Sequence, residues 1–149
     1  MKTARQKPLK EDGEMNQNEK RVYLIKRLLK EQPRYRNMQI PIDTDQQKTM
    51  LRSLMNIRMP GKIDDEFISV QDEYLRQVNA EKGVVTLSDM EEIQPDVYIW
   101  KGDITRLKVG AVVNAANSGM TGCYQPCHNC IDNCIHTYAG IRLRLSCAK

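Results

Sequence analysis

The sequence is poor in aromatic residues, with one Trp, one Phe and six Tyr among 149 positions. Its 23 Lys and Arg are scattered among 19 Asp and Glu, for a net charge of +4. With neither a stacking platform nor a basic stripe, nucleic acid is not an expected partner. No apolar run is long enough to cross a bilayer, and the N-terminal stretch MKTARQKPLKEDGEMNQNEK lacks the apolar segment of a secretory signal. A cytoplasmic protein without a membrane partner is therefore expected. Cysteine is missing before position 123, where the first of five stands. An odd number crowded at one end, without an export signal, argues against a disulfide framework and for metal binding or reactive thiols.

What is present, 40% hydrophobic and 28% charged residues, suits one domain with a real core. Residues 1–20 have too few large apolar side chains to offset the entropy of ordering and read as a flexible arm. From Arg21 to Pro33 the apolar positions Val22, Ile25, Leu28 and Leu29 recur at helical spacing. Asp43 stands as the N-cap of a second helix, with Gln46 three residues on and a stripe of Met50, Leu51, Leu54 and Met55 that Pro60-Gly61 closes. A third helix is expected from about Asp64, so 21–82 reads as a helical extension. From Gly83 the period changes. Val84-Val85, Val97–Trp100 and Ala111–Val113 suit buried strands, and from about Asp132 helical spacing returns through Ile135, Ala139 and Leu143. This order predicts an α/β domain over 83–149. A helical pattern running to Lys149 without a C-cap, beside so few strands, reads as a C-terminal truncation.

The chemistry-bearing residues lie in WKGDITRLKVGAVVNAANSGMTG (100–122) and GCYQPCHNCIDNCIH (122–136). Ligands of open α/β sheets bind at the carboxyl ends of strands, where GDIT and NAAN fall. Asp103 can accept from an exocyclic amine, and Asn114 and Asn117 offer donors and acceptors for sugar hydroxyls. Four cysteines and both histidines follow within fifteen residues.

GDIT, VVNAAN and an Asp-x-x-x-His opening the next helix, Asp132 and His136, together resemble the macrodomain family, whose members bind ADP-ribose and often hydrolyse it from proteins. With the cysteine loop in place of the usual glycine run, and with LIKRLLKEQPRY, LRSLMNIRMP and ISVQDEYLRQ before it, the chain is similar to the zinc-containing bacterial macrodomains found with sirtuin-like ADP-ribosyltransferases. The resemblance covers 21–149. It departs at Gly110, where such sequences usually carry an acid, and in lacking the second half of the domain.

That resemblance implies a three-layer α/β/α sheet, incomplete at its C-terminus, behind the helical extension. It implies that Asp103 holds the adenine amine and the Ile104 N–H the adjacent ring nitrogen, with Asn114 and Asn117 near the distal ribose and Asn117 catalytic, touching the reacting end beside Asp132. Asp132, at a helix N-terminus that favours a nearby pyrophosphate, would orient or activate water, supported by His136 one turn on. Cys123, His128 and Cys130 would hold Zn²⁺ with one coordination position open. ADP-ribose, or an ADP-ribosylated protein, is the implied partner.

Three other readings stand beside this one. The first is a binding module without catalysis, and the second a structural zinc loop with Cys127 or His136 as fourth ligand. The third is the three-cysteine spacing Cys123-x3-Cys127-x2-Cys130 of radical S-adenosylmethionine enzymes, opposed by Asn129 in place of an aromatic and by the short chain. Cys134 is expected to face the core, and Cys147 to be a small apolar helix residue.

Overall fold

The computed structural model describes residues 14–149, so the first thirteen residues of the expected arm lie outside it. Helix α1 spans Gln17–Glu31, four residues ahead of the apolar pattern, and residues 17–20 belong to it rather than to the arm. The cause is a capping box: the Asn16 side chain accepts from the Asn18 and Glu19 amides, and the Glu19 carboxylate accepts from the Asn16 amide. Helix α2 (Thr44–Ile57) begins where Asp43 accepts from the Gln46 amide at 2.9 Å. Helix α3 (Asp65–Lys82) is capped by Asp64, which accepts from the Phe67 amide, and ends at Gly83 with φ 81°, a conformation that favours glycine.

The three helices pack one core. Leu24, Ile25 and Leu28 of α1 meet Leu51, Leu54 and Met55 of α2 and Phe67, Val70 and Leu75 of α3, all buried. The apolar stripes expected from the spacing are the faces that meet. Helix α4 (Ile131–Ala139) packs against α2 and α3, and α5 (Ile141–Cys147) follows it. Gly140, at φ 79°, divides what reads as one helical pattern, because a Cβ there would lie 2.4 Å from the Gln71 amide nitrogen. Buried Gln71 accepts the Ile141 amide at 3.0 Å, and Ile141 joins the core.

The β content is a two-stranded antiparallel sheet, β1 (Glu91–Gln94) with β2 (Val97–Ile99), turned at Asp96 with φ 63°. A single parallel bridge joins Val85 to Leu107. The composition is thus helices with a small sheet, an α/β mixture. Three expectations are corrected. Val84-Val85 forms no strand beyond the bridge at Val85, and Val84 is half-exposed. Val97–Trp100 supplies a strand, but a largely exposed one, with Ile99 57% accessible. Ala111–Val113 forms no strand at all, and Val113 is 93% accessible. A strand needs hydrogen-bonding neighbours on its edges, and among the described residues none flanks 111–113. No helix among these residues is long and apolar enough to cross a membrane.

Candidate functional site

The loop from Gly122 to Cys130 carries the metal-binding residue types, and its course is fixed by side chains that take its carbonyls. Arg144 donates to Thr121 O at 2.7 Å, Asn117 to Gly122 O at 3.2 Å, and Asn133 to Cys123 O at 3.3 Å and Gln125 O at 2.9 Å. Arg52 donates to His128 O at 2.7 Å. So held, the loop brings the ligand atoms of Cys123, His128 and Cys130 within 4.8 Å of one another, a group able to hold a metal ion. Cys123 Sγ lies 3.7 Å from His128 Nδ1. Cys130 is also the N-cap of α4, its sulfur accepting from the Asn133 amide at 3.4 Å. Burial pushes the Cys130 thiol up; the Asn133 amide pulls against this, and neighbouring Cys123 and Asp132 add to the rise.

Cys127 does not join this group. At φ 52° its backbone turns away, its amide donates to Asn56 Oδ1 at 2.9 Å, and its sulfur sits 3.1 Å from Ser53 Oγ and 3.5 Å from Thr49 O on α2. Cys134 is half-buried, with the Arg52 guanidinium 3.8 Å from its sulfur, rather than sunk in the core. Cys147 is exposed.

Immediately beyond the thiols, Asp132, His136 and Asn114 form a polar cluster. Asp132 and His136 are buried, one turn apart on α4, with Asp132 Oδ1 receiving the Asn114 amide at 2.9 Å and lying 3.7 Å from His136 Nε2. Burial and then the charge of Arg144 lower the His136 pKa, against a smaller opposing effect of Asp132, which favours the neutral ring. Three buried atoms here, Asp132 Oδ2, His136 Nδ1 and Asn114 Oδ1, have no partner among the described residues. Buried polar atoms without partners are rare and costly, and three around one carboxylate mark a place for polar ligand atoms.

Gly122 makes room for the His136 ring. At φ 90°, a Cβ would stand 2.7 Å from the His136 ring. Gly122→Ala is expected to cost about 2–4 kcal/mol, combining left-handed backbone strain with displacement of the imidazole. Urea denaturation measures it, and a loss below about 0.5 kcal/mol would contradict this packing.

Asn117 lies outside the cluster. It is exposed, its side-chain oxygen accepting from the Gly119 amide at 2.9 Å while its amide holds Gly122 O, so it shapes the loop. Asp103 and Ile104 stand apart, where Ile104–Arg106 makes a single 3-10 turn. Asp103 caps that turn through the Thr105 amide and hydroxyl, and pairs with Lys82 Nζ at 2.7 Å. The same ammonium lies 3.4 Å from the Tyr138 ring centroid, which ties the turn to α4. Along that junction a cleft of ≈ 320 Å³ runs between Ile104, Val112 and Ile135.

Burial raises the Asp103 pKa, but hydrogen bonds from Lys82 and Thr105 outweigh it and bring the carboxyl from 3.8 to about 2. A depressed carboxylate adds stability above its unfolded pKa and loses it as pH falls through the folded value. Asp103→Asn should therefore be less stable than the wild type at pH 7, by no more than about 1 kcal/mol for a pair this exposed. The difference should vanish between about pH 4 and pH 2. Denaturant titrations across that window check it.

Residues that motif reading passes over complete the site. Thr49, Arg52, Ser53 and Asn56 follow one another at i, i+3, i+4 and i+7 on α2, a polar stripe beside the apolar one. Asn133 on α4 and Arg144 on α5 are buried and polar. The available signal was this polar residue set at core-facing helical positions.

No family model matches the chain. It is 54% identical over 138 residues to a protein-ADP-ribose hydrolase of Treponema medium, covering 90% of this chain and 53% of that protein. It is 41% identical over 128 residues to one of Staphylococcus aureus strain MRSA252, covering 85% of this chain and 48% of that protein. It is 36% identical over 117 residues to a probable bifunctional ADP-ribose hydrolase/ADP-ribosyltransferase of Fusarium oxysporum f. sp. cubense, 71% of this chain and 20% of that protein. The chain spans about half the length of the bacterial relatives it matches. The agreement runs through the helical extension as well as the motifs, so that over most of its length the chain is similar to about half of each of these two bacterial protein-ADP-ribose hydrolases.

Proposed function

We propose that the protein to which this chain belongs hydrolyses ADP-ribose from modified protein side chains, on a macrodomain-like α/β/α fold, with Zn²⁺ held by Cys123, His128 and Cys130. The observation that carries this reading is the Asn114–Asp132–His136 cluster, with its three unpartnered buried atoms next along the chain from the thiol–imidazole group. The names of the relatives from Treponema and Staphylococcus support the substrate class.

The donor set fits zinc. With Zn–S of about 2.3 Å and Zn–N of about 2.0–2.1 Å, a tetrahedral ion separates sulfur from nitrogen by about 3.6 Å, and Cys123 Sγ and His128 Nδ1 stand 3.7 Å apart. Bound there, the ion would supply a Lewis acid with an open coordination position.

The chain's own residues account for the remaining roles. Asn114 occupies Asp132 Oδ1 and leaves Oδ2 as the acceptor able to orient a water and take its proton as the ribosyl bond breaks. Neutral His136 walls the carboxylate from solvent and leaves Nδ1 as a further polar contact. Asp103 receives the adenine amine and the Ile104 amide faces the neighbouring ring nitrogen, while Asn114 and Asn117 serve ribose hydroxyls. The amides opening α4 favour the pyrophosphate. The proposed partner is a cytoplasmic protein ADP-ribosylated by a sirtuin-like transferase.

The test incubates the full-length protein with a mono-ADP-ribosylated protein and follows free ADP-ribose. Release is expected, with loss of at least about tenfold on chelation and recovery with zinc. No release by the metal-replete protein sinks the proposal, and ADP-ribose retained without cleavage would establish the binding module instead.

A further inference from the structure

We infer that α2 is the positioning element of the metal loop, and that Arg52 and Asn56 set how tightly the loop holds its ion. The inference rests on the zinc reading of the proposed function and goes beyond it, because neither residue carries a ligand atom of the candidate site.

Three of the four residues of the polar α2 stripe reach the loop with their side chains. Arg52 Nη2 donates to the carbonyl of His128, a candidate ligand, at 2.7 Å, and at 3.0 Å to Asn133 Oδ1. Asn133 passes the contact on, its amide donating to the carbonyls of Cys123 and Gln125. Two of the three candidate ligands are thus tied by their backbone to one guanidinium. Asn56, 1% accessible, accepts the Cys127 amide at 2.9 Å and donates to Thr137 Oγ1 at 2.9 Å, which locks the left-handed turn at Cys127 to α4. Ser53, with the carbonyl of Thr49, takes the Cys127 sulfur. Those contacts hold this thiol off the neighbouring ligand group.

The physical consequence follows from loop entropy. An eight-residue loop presenting three ligands must be ordered before or during metal capture, at a cost in conformational entropy for each residue left free. Contacts from α2 pre-order it within the apo fold. Groups of this kind, bonded to ligand residues rather than to the metal, typically change affinity by about 10–100-fold when removed. Both bonds come from one guanidinium nitrogen, Nη2, so a lysine ammonium can imitate them only where its shorter reach allows.

The experiment measures zinc dissociation constants by chelator competition on the full-length protein and on Arg52→Met, with Arg52→Lys as the milder change. Arg52→Met should bind zinc about 10–100-fold more weakly, and Arg52→Lys should fall between it and the wild type. With cobalt(II) as probe, the thiolate-to-metal absorption bands of Arg52→Met should shift in position or intensity, reporting a displaced ligand. Unchanged affinity and unchanged cobalt bands, in a wild-type background that binds zinc, would overturn the inference while leaving the zinc reading intact. A drop in unfolding temperature alone, equal with and without metal, would overturn it as well, since that is the mark of a merely structural residue. Failure of the wild type itself to bind zinc or cobalt would overturn both.

Discussion

Arg144→Met is expected to lower the unfolding free energy by about 3–5 kcal/mol, more than either Gly122→Ala or Asp103→Asn. Arg144 is 5% accessible and its guanidinium lies in a nest of carbonyls. Nη1 donates to Met55 O at 3.0 Å, Asn56 O at 2.8 Å and Arg58 O at 2.7 Å, and Nε donates to Thr121 O at 2.7 Å. The first three are carbonyls at the C-terminal end of α2, which no intrahelical amide can satisfy, and a cation is the complement that a helix C-terminus favours. The guanidinium also stacks 4.4 Å from the Tyr124 ring centroid. Methionine keeps the aliphatic stem but leaves four carbonyls without donors. The cost is dominated by these stranded acceptors rather than by lost packing. Arg144→Lys, with one ammonium for four acceptors in different directions, should recover less than about half. Equilibrium urea unfolding at constant m-value is the check, and a loss below about 1 kcal/mol would show the carbonyls to be satisfied some other way. Because Thr121 opens the turn into Gly122, the same variant should also loosen the packing around His136.

The helix starts at Asp43 and Asp64 were legible because a cap is a local device: a side chain and an amide three residues on. The same locality makes α1 instructive. Its start is encoded at Asn16 and Glu19, but a search keyed to apolar period passes over a polar capping box and begins at Arg21. Ala111–Val113 shows the opposite limit, since β-branched residues favour a strand only where neighbours offer edges, and that information is not local. The site divides along the same line. Cys123, His128, Cys130, Asp132 and His136 crowd into one short stretch, and the structure does bring the three metal-type ligands together and seat the carboxylate beside the imidazole. Arg52 and Asn56 contact that stretch from 71 to 82 positions away, and Arg144 binds carbonyls up to 89 positions away. Such pairings appear only once the helices are packed. Polar residues at core-facing positions of an amphipathic helix are their trace in the sequence.

Asp132→Asn in the full-length protein is expected to lower kcat by about 10²–10⁴-fold with KM and zinc content nearly unchanged. The substitution is close to isosteric, so it isolates chemistry from shape. Its side-chain oxygen can still accept from Asn114, as Asp132 Oδ1 does at 2.9 Å. What changes is the other atom. Asp132 Oδ2 is the buried acceptor with no partner among the described residues, and in the variant an amide N–H₂ stands there, a donor where a proton must be received. The carboxylate's charge also opposes the pyrophosphate expected at the α4 N-terminus, so its removal tends, if anything, to tighten substrate binding. A fall in kcat with KM level or lower is therefore the signature of a base or water-orienting group, whereas a rise in KM at constant kcat would assign Asp132 to binding alone. Retention of kcat within about threefold would remove Asp132 from the reaction, and the unpartnered atoms around it would then have to be read as contacts to the ribose.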